Sequence, residues 1–511
     1  MDRVVRWAFP GCLTALAVLL VAWPPHTVDG PAHLLGARVL ADWSGPDGGV
    51  YREFYVRDAA PTPNLLTSYL LAALVKAGSL RLAETVVLLA CALGLPLALR
   101  YAIRGVRPES GWLALAGVPL AFGYLYFYGF YNFCLGLALC LVCAGWALRH
   151  APAWSPRAVA GLAGLLVLTW FTHLVPFALA LLYVGALALA GPRTPRAYLA
   201  PALAMAPGLA LTAAYVLRTE QGEGPVWSGV PGLAAGLLTL QGPLVTYTPA
   251  ELVVSVGLAA GLLALVVCAA RGRLAARGPL LALVLAAALY LGAPQSFGVD
   301  FGLINERLSY FPALFAVLWV AAKPWGPRVV AGGTAALVAA AGVLLAVRVP
   351  DLRAYDRLAD EYASAARWVP EGSTLVALRY EEFPPGSRRN RHWDPVRHLS
   401  SALAAATHSV DVGHYEAVFD YFPAQWRPGH DLRRAVDPTL EGLPAVPPDV
   451  DLAAATGVAG RPVDVVLLVG TADGDRAAAE DERARLTRDG YSRRGSTAPT
   501  GLVEVWVAPG R

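Results

Sequence analysis

The sequence predicts an α-helical polytopic membrane protein with about 11 spans, followed by a small C-terminal α/β or α+β domain outside the cytoplasm. Hydrophobic residues make up 56% of the 511-residue chain. Charged residues make up only 15%, against about 25% in an average soluble protein. The hydrophobic residues form blocks of about 20, which is the length that crosses a hydrocarbon core. From residue 350 onward the chain is instead polar and rich in proline.

The first predicted span covers residues 8–23 and follows Arg3 and Arg6. Lysine and arginine accumulate in cytoplasmic loops, so this span runs outward from a cytoplasmic N-terminus. The later spans are predicted at residues 84–103, 112–127, 130–148, 158–173, 175–190, 198–217, 251–270, 279–294, 308–322 and 329–348. Basic residues recur in every second loop between these spans, which gives one consistent orientation. The odd number of spans then places the C-terminal domain outside the cytoplasm.

The first outer loop, residues 24–83, contains a further apolar segment at 63–80. A span there would invert every later loop and place the arginines outside. We therefore predict an amphipathic helix that lies at the outer membrane interface. The chain is thus divided into a membrane domain, 1–349, which includes this loop, and an extracytoplasmic domain, 350–511.

The extracytoplasmic domain mixes helical and strand-like patterns. Helices are predicted at 355–368 and 476–489. Strands are predicted at 373–378, 463–469 and 502–507. The stretch 380–460 is rich in turn-forming residues and predicts no regular element.

Charge and cysteine content argue against two kinds of site. The net charge is +4, and no basic patch interleaved with aromatic residues occurs, so no nucleic-acid partner is expected. All six cysteines lie in apolar blocks, so neither a disulfide framework nor a cysteine metal site is predicted.

An acidic residue follows the first span within the sequence WPPHTVDGPAHLLGARVL, residues 23–40. Asp29 precedes a Gly-Pro pair and could cap a helix that begins there. Alternatively, it is a carboxylate held at the membrane face, where the low dielectric makes it a stronger base. His33 lies four residues on and falls on the same helical face. Such a pair can take up a proton or contribute to a metal site, although two residues do not make a ligand set.

Other polar residues lie at the predicted outer ends of spans. Glu306 and Arg307 follow Asp300 in the stretch FGVDFGLINERLSYFP. They either cap and anchor a helix or meet an anionic head group, which guanidinium binds with paired hydrogen bonds. Asn132 and His173 lie in two other outer turns, and polar groups at membrane depth usually face a cavity or a partner.

Two polar clusters lie outside the spans. In the first loop, Arg57 and Asp58 either line a cleft or belong to a solvated surface. In the C-terminal domain, the stretch HSVDVGHYEAVFDYFPAQW contains His408, Asp411, His414 and Glu416. Their spacing fits no zinc pattern, so a metal site is not predicted there.

With this layout the chain resembles the GT-C type glycosyltransferases, which are polytopic enzymes that use lipid-linked sugars. The resemblance rests on the acidic start of the first outer loop, VDGPAH (28–33), and on the proline-led segment PTPNLL (61–66). It also rests on the many-span body that ends in an outer domain, and it covers the chain to about residue 350.

The resemblance implies that Asp29 is the general base that deprotonates the acceptor. It also implies that Arg307 meets the phosphate of a polyprenyl-phosphate or pyrophosphate sugar donor. The further candidate substrate-binding residues are His33, Glu306, Asn132, His173, Arg57 and Asp58. Many relatives carry a second acid two positions after the first, where this chain has Pro31, which puts a bound divalent metal in doubt.

The sequence therefore predicts a membrane glycosyltransferase that works on the non-cytoplasmic face. Its expected partners are a lipid-linked sugar donor, membrane lipid, and a glycan or lipid acceptor. One alternative is a transporter or flippase of a lipid-linked or anionic glycan, and another is a non-catalytic membrane assembly protein. A transporter would carry polar residues deep in its spans, whereas the span centres here are rich in Ala, Leu, Val and Gly.

Overall fold

The computed structural model describes residues 3–151, 153–219, 224–271, 276–297, 302–381, 394, 396–436, 452–472 and 474–511, with side chains from Trp7 onward. The chain forms two compact units. The first, here called the membrane unit, combines Met1–Pro24 with Thr85–Arg348. The second, here called the mixed unit, combines Pro25–Glu84 with Val349–Arg511. The sequence predicted that the first loop belongs with the membrane domain, whereas the structure groups it with the C-terminal residues.

The membrane unit is built from helices, of which Leu80–Val106 begins and Pro327–Ala363 ends in residues of the mixed unit. They are Arg3–Ala22, Leu80–Val106, Gly117–Ala121, Tyr124–Tyr128, Tyr131–His150, Pro156–Thr172, Leu174–Ala190, Pro195–Arg218, Val230–Thr239, Gln241–Leu244, Ala250–Ala270, Arg277–Gly292, Ile304–Leu308, Tyr310–Val320 and Pro327–Ala363, with a 3₁₀ helix at Pro108–Ala116. Two short antiparallel strands, Pro225–Val226 and Ser296–Phe297, pair with each other.

Six helical segments among the described residues are long and apolar enough to cross a membrane. They are Leu80–Val106, Pro108–Tyr128, Tyr131–His150, Pro195–Arg218, Ala250–Ala270 and Pro327–Trp368. Shorter apolar helices, among them Pro156–Thr172 and Leu174–Ala190, accompany them. The chain is thus a multi-pass membrane protein, and the predicted fold class is confirmed. The count of about 11 spans stays a prediction.

Two predicted spans differ from the structure in continuity. The span predicted at 112–127 consists of a 3₁₀ helix and two short α-helices that are interrupted near Gly123. A Cβ atom on Gly123 would lie 2.1 Å from the carbonyl oxygen of Pro243, so only glycine allows this close backbone approach. The span predicted at 329–348 and the helix predicted at 355–368 form one helix, Pro327–Ala363, followed by a 3₁₀ turn.

The mixed unit contains a five-stranded sheet. Its strand order is Val410–Asp411, Thr374–Arg379, Val465–Val469, Val503–Val507 and Ser492–Ser496. The first three strands run parallel and the last two are antiparallel to their neighbours. The three predicted strands are confirmed, because alternating apolar runs with turn residues at both ends are a local signal. The helix predicted at 476–489 is also confirmed, at Arg476–Arg488.

Both chain segments of the mixed unit contain helices. They are Gly30–Asp42, Gly48–Phe54, Leu65–Ala77, Leu399–Ala406, Leu432–Val436, Leu452–Ala459 and Arg476–Arg488, with 3₁₀ helices at Ser364–Trp368 and Tyr415–Val418. The helix Leu65–Ala77 occupies the segment predicted as an interfacial helix. It exposes Tyr69 and Leu70, by 45% and 37%.

Long-range pairing joins the first loop to the C-terminal residues inside the mixed unit. The strand Tyr55–Arg57 pairs antiparallel with Ala424–Trp426. Arg38 donates to the carbonyl of Ala405 at 3.2 Å, and His408 lies 2.9 Å from the Asp42 carboxylate. These contacts join segments more than 360 residues apart, which no periodic pattern in the sequence reveals.

Candidate active site

Asp29 occupies the N-cap position of the helix Gly30–Asp42, but its side chain makes no capping hydrogen bond. Its backbone carbonyl accepts hydrogen bonds from Ala32 and His33, at 3.0 and 3.1 Å. Pro31 in the first turn presets the backbone for a helix and leaves no amide donor to satisfy. The helix therefore begins without using the Asp29 carboxylate, which is buried with 5% exposure.

Two side chains from the C-terminal part of the chain and one from the helix that follows Asp29 lie around this carboxylate. The Nε2 atom of His398 lies 3.6 Å from the Asp29 Oδ1 atom. Tyr415 donates a side-chain hydrogen bond to Asp29 and stacks on the His398 ring, with centroids 4.6 Å apart. His33 acts on Asp29 through its charge and lies 2.5 Å from the Glu416 carboxylate. Imidazole, phenol and carboxylate thus meet in one buried cluster.

Burial and nearby charges set the protonation of the cluster. Burial raises the pKa of Asp29 to about 6, although the charges of His33 and Arg397 act in the opposite direction. Burial also lowers the pKa of His398 well below its usual value, and Arg397 adds to this effect. Near neutral pH the cluster therefore presents an ionised carboxylate beside a neutral imidazole. A carboxylate whose pKa lies close to the working pH suits a general base.

The raised pKa of Asp29 predicts that Asp29→Asn stabilises the fold at neutral pH. The Asp29 carboxyl group binds its proton more tightly in the folded protein than in the unfolded chain. Protonated Asp29 therefore stabilises the fold at low pH, and this contribution is lost as the pH rises through about 6. The variant escapes that loss, which amounts to at most about 3 kcal/mol at pH 7. Thermal unfolding of the full chain should show a higher midpoint for the variant at pH 7 and little difference at pH 4.

Asp47→Asn is the matched control for this measurement. Asp47 also occupies an N-cap position without a side-chain cap, but it is exposed. Its replacement should leave the unfolding midpoint unchanged at both pH values. An Asp29→Asn midpoint equal to that of the wild type at pH 7 would contradict the assigned cost of ionisation.

Arg57 and Asp58 lie in the mixed unit at the end of the strand Tyr55–Arg57. Arg57 is exposed and its guanidinium lies 5.2 Å from the centre of the Trp43 ring. The Asp58 carboxylate accepts from the Ala60 amide at 2.8 Å and so forms a local turn. The Asp58 carboxylate also accepts from the Gln425 side-chain amide at 3.4 Å. A role of Arg57 or Asp58 in substrate binding stays a prediction.

Asn132 and His173 lie in the membrane unit, and Phe133, which follows Asn132 in the chain, contacts the His173 ring. The His173 ring meets Phe133 edge to face at 5.7 Å, and its Nδ1 atom accepts from the Val175 amide at 3.1 Å. His173 thereby caps the helix Leu174–Ala190. Asn132 is buried in the first turn of its helix, and its Oδ1 atom has no hydrogen-bond partner in the described part of the chain.

Glu306 and Arg307 lie on the short helix Ile304–Leu308 of the same unit. The Arg307 guanidinium lies 4.7 Å from the centre of the Phe130 ring and donates to the carbonyl of Gly302. It also interacts electrostatically with His173. Asp300 lies outside the described residues. Asp29 belongs to the mixed unit and Arg307 to the membrane unit, and a pocket shared by the two stays a prediction.

Three members of the buried cluster, and His414, which lies 3.9 Å from Glu416, were not predicted from the sequence to belong to a site with Asp29. The three members are His398, Tyr415 and Glu416. In the sequence, His414 and Glu416 were candidates only for a metal cluster, and their spacing did not fit a zinc site. The density of His, Tyr and acidic residues between 408 and 426 was a usable signal, but nothing in the sequence connects that stretch to Asp29.

A metal site finds no support among the described side chains. In that part of the chain no group of three His, Cys, Asp or Glu residues could hold a metal ion. The two carboxylates of the cluster are instead paired with imidazole rings, Asp29 with His398 and Glu416 with His33.

Comparisons with known proteins give structural matches alone. No protein-family model matches the chain, and no curated protein matches it. The chain is similar to the crystal structure of ArnT from Cupriavidus metallidurans in the apo state, with 14% identity, a TM-score of 0.49, and 99% of this chain and 98% of that chain covered. It is also similar to ArnT from the same organism bound to undecaprenyl phosphate, with 13% identity, a TM-score of 0.45 and 98% of each chain covered. At these identities and TM-scores the similarity assigns neither an activity nor a ligand to this chain.

Proposed function

We propose that the chain is a membrane glycosyltransferase that moves a sugar from a polyprenyl-phosphate-type donor to an acceptor on the non-cytoplasmic face. The observation that carries this proposal is the state of Asp29. Its carboxylate is buried, is not used as a helix cap, and contacts an imidazole and a phenol. A fold gains nothing in stability from such a carboxylate, so a chemical role explains it better.

The chemistry of lipid-linked transfer requires groups of this kind. A polyprenyl-linked donor stays in the bilayer, so its reactive carbon lies at the depth of the head groups. Asp29 takes the proton from the attacking hydroxyl of the acceptor. A cation stabilises the departing phosphate, whose charge grows in the transition state, and Arg307 is the residue proposed for that role.

An apolar cavity in the membrane unit supports a lipid substrate. It has a volume of about 330 Å³ and lies between the 3₁₀ helix Pro108–Ala116 and the helices Ala250–Ala270, Tyr310–Val320 and Pro327–Ala363. Its walls are leucine, valine, alanine, proline and tryptophan side chains with the backbone of four glycines, which suit an isoprenoid chain. Gly261 lines this cavity, and a Cβ atom there would meet nothing within 4 Å.

Gly261→Leu should raise the Michaelis constant for a polyprenyl-phosphate-linked sugar by roughly tenfold, because the leucine fills space that the lipid tail would occupy. The turnover number should change little. The matched control is Gly164→Leu, since Gly164 is likewise exposed with open space around its Cβ position but lies on another helix, away from the cavity. Equal Michaelis constants for both variants and the wild type would remove the cavity from the proposal.

The proposed function itself is tested with the full chain in lipid nanodiscs. A panel of polyprenyl-phosphate-linked sugars is added, together with glycan and lipid acceptors, and release of polyprenyl phosphate is measured. We expect release above that of empty nanodiscs for at least one donor. Flipping of a lipid-linked glycan without any release would favour the transporter instead, and neither signal would favour the assembly protein.

A further inference from the structure

A second carboxylate–imidazole pair in the mixed unit acts on the charge of Asp29. The Nδ1 atom of His33 and the Oε1 atom of Glu416 are 2.5 Å apart, and both side chains are buried. The other carboxylate oxygen of Glu416 lies 3.9 Å from Nε2 of His414. The Nδ1 atom of His414 in turn lies 3.2 Å from the hydroxyl of Tyr55. Glu416 is therefore held between two imidazole rings.

The backbone of the helix Gly30–Asp42 makes room for this arrangement. A Cβ atom on Gly36 would lie 3.3 Å from the Oε2 atom of Glu416, so a larger residue would press on the carboxylate. His33 stands one turn after Asp29 on the same helix, and Glu416 reaches it from the 3₁₀ helix Tyr415–Val418. Asp29 and His33, together with the Glu416 side chain that contacts His33, therefore lie at the same end of this helix.

We propose that Glu416 keeps His33 in its imidazolium form, and that this buried cation keeps Asp29 ionised so that Asp29 can accept a proton. The proposal rests on the proposed role of Asp29 as the base. His33 and Glu416 are positioning residues here, because they act on the carboxylate and not on the substrate.

The charges around Asp29 support this assignment. His33 is the strongest of the groups that favour its ionised form, ahead of Arg397 and the Tyr415 hydroxyl, while Glu416 acts in the opposite direction. His398 lies 3.6 Å from the Asp29 carboxylate, and burial lowers its pKa, which favours its neutral form. Burial alone would raise the pKa of Glu416, but His33 and then His414 outweigh burial and hold it below its usual value. Glu416 is therefore ionised near neutral pH, and its carboxylate lies 2.5 Å from the Nδ1 atom of His33.

The first experiment follows the protonation of His33 in the full chain in nanodiscs, by ¹⁵N NMR of labelled histidine. His33→Gln identifies the His33 signals by their loss. We expect the imidazolium form at pH 7 in the wild type and the neutral form in Glu416→Gln, because that variant removes the partner carboxylate. An imidazolium that persists in Glu416→Gln, or a neutral His33 in the wild type, would overturn the role assigned to Glu416.

The second experiment follows Asp29 itself, by infrared titration of its protonated carboxyl group, which Asp29→Asn identifies by its disappearance. Loss of the neighbouring cation in His33→Gln should raise the titration midpoint by about one to three pH units. The double variant His33→Gln/Glu416→Gln should show a smaller rise. It also removes the Glu416 charge, which raises the pKa of Asp29, and so does not leave Glu416 buried without its partner. That second variant keeps the test open if the single variant does not fold.

The control is His26→Gln, since His26 belongs to the same unit and lies 3.9 Å from a different carboxylate, that of Asp356. It should leave the Asp29 midpoint unchanged. A midpoint for His33→Gln or for the double variant at or below that of the wild type would overturn the proposal. Neither experiment measures sugar transfer, so a protein that passes both but releases no polyprenyl phosphate contradicts the proposed function and not this inference.

Discussion

Asp29→Asn is expected to lower the rate of polyprenyl phosphate release by about 10²- to 10⁴-fold while the chain stays folded. Asparagine keeps the size of the side chain and its contact with Tyr415, but it cannot accept the proton of the attacking hydroxyl. The helix Gly30–Asp42 should not be weakened, because the carboxylate does not cap it. The measurement is the turnover number with saturating donor and acceptor in nanodiscs.

The pH dependence of the wild-type rate is an independent test of the same role for Asp29. The base works in its ionised form, so the rate should fall as the pH drops through about 6, where Asp29 takes up a proton. Asp47→Asn is again the control and should retain the wild-type rate and profile. Release by Asp29→Asn within a factor of three of the wild type would show that the proposed base is not used.

Much of the architecture follows from local signals in the sequence. An apolar block of about 20 residues predicts a helix whatever its neighbours are, because the bilayer demands internal backbone hydrogen bonds. The three strands at 374–379, 465–469 and 503–507 could be predicted for a similar reason, since each is a short apolar run between turns. The interruption at Gly123 could not, because it depends on the approach of the Pro243 carbonyl, more than 100 residues later.

The residues of the site also fall into those that local sequence predicts and those that it does not. Asp29 stood out because an acid followed by Gly-Pro just after a span is unusual in itself, and His33 followed from helical spacing. Its partners His398 and Glu416 lie more than 360 residues further along the chain. They reach Asp29 through pairing of the first loop with the C-terminal segment, which is set by side-chain contacts and not by any period. The partners of Asp29 were missed for this one reason.

The unpredicted feature with the largest expected effect on stability is a buried ion pair in the membrane unit. The Arg348 Nη2 and Nε atoms lie 2.9 and 3.1 Å from the Oε2 atom of Glu251. The guanidinium also donates to the carbonyls of Phe122 and Leu244, and Arg348 is only 1% exposed. The carboxylate of Glu251 accepts from the three amides that precede its helix, those of Thr246, Tyr247 and Thr248.

This arrangement ties together chain segments that border the apolar cavity, because Leu244 belongs to its wall and Glu251 begins the helix Ala250–Ala270. The acceptors of Arg348 are fixed carbonyls and a fixed carboxylate, which is the geometry of a structural anchor. A transport pathway would need charged groups that exchange partners during the cycle. The pair therefore acts as a structural anchor beside the apolar cavity.

Arg348→Ala is accordingly expected to destabilise the protein by about 3–5 kcal/mol, since it leaves the Glu251 charge and two carbonyls buried without their donor. Arg328→Ala, an exposed position on the same helix, should change stability by less than about 0.5 kcal/mol. Reversible unfolding in detergent with added denaturant provides both values. The double variant Arg348→Ala/Glu251→Gln should cost less than the sum of the two single variants, because neither charge is then left alone. A loss below about 1 kcal/mol for Arg348→Ala, or simple additivity in the double variant, would show that Arg348 and Glu251 do not hold these segments together.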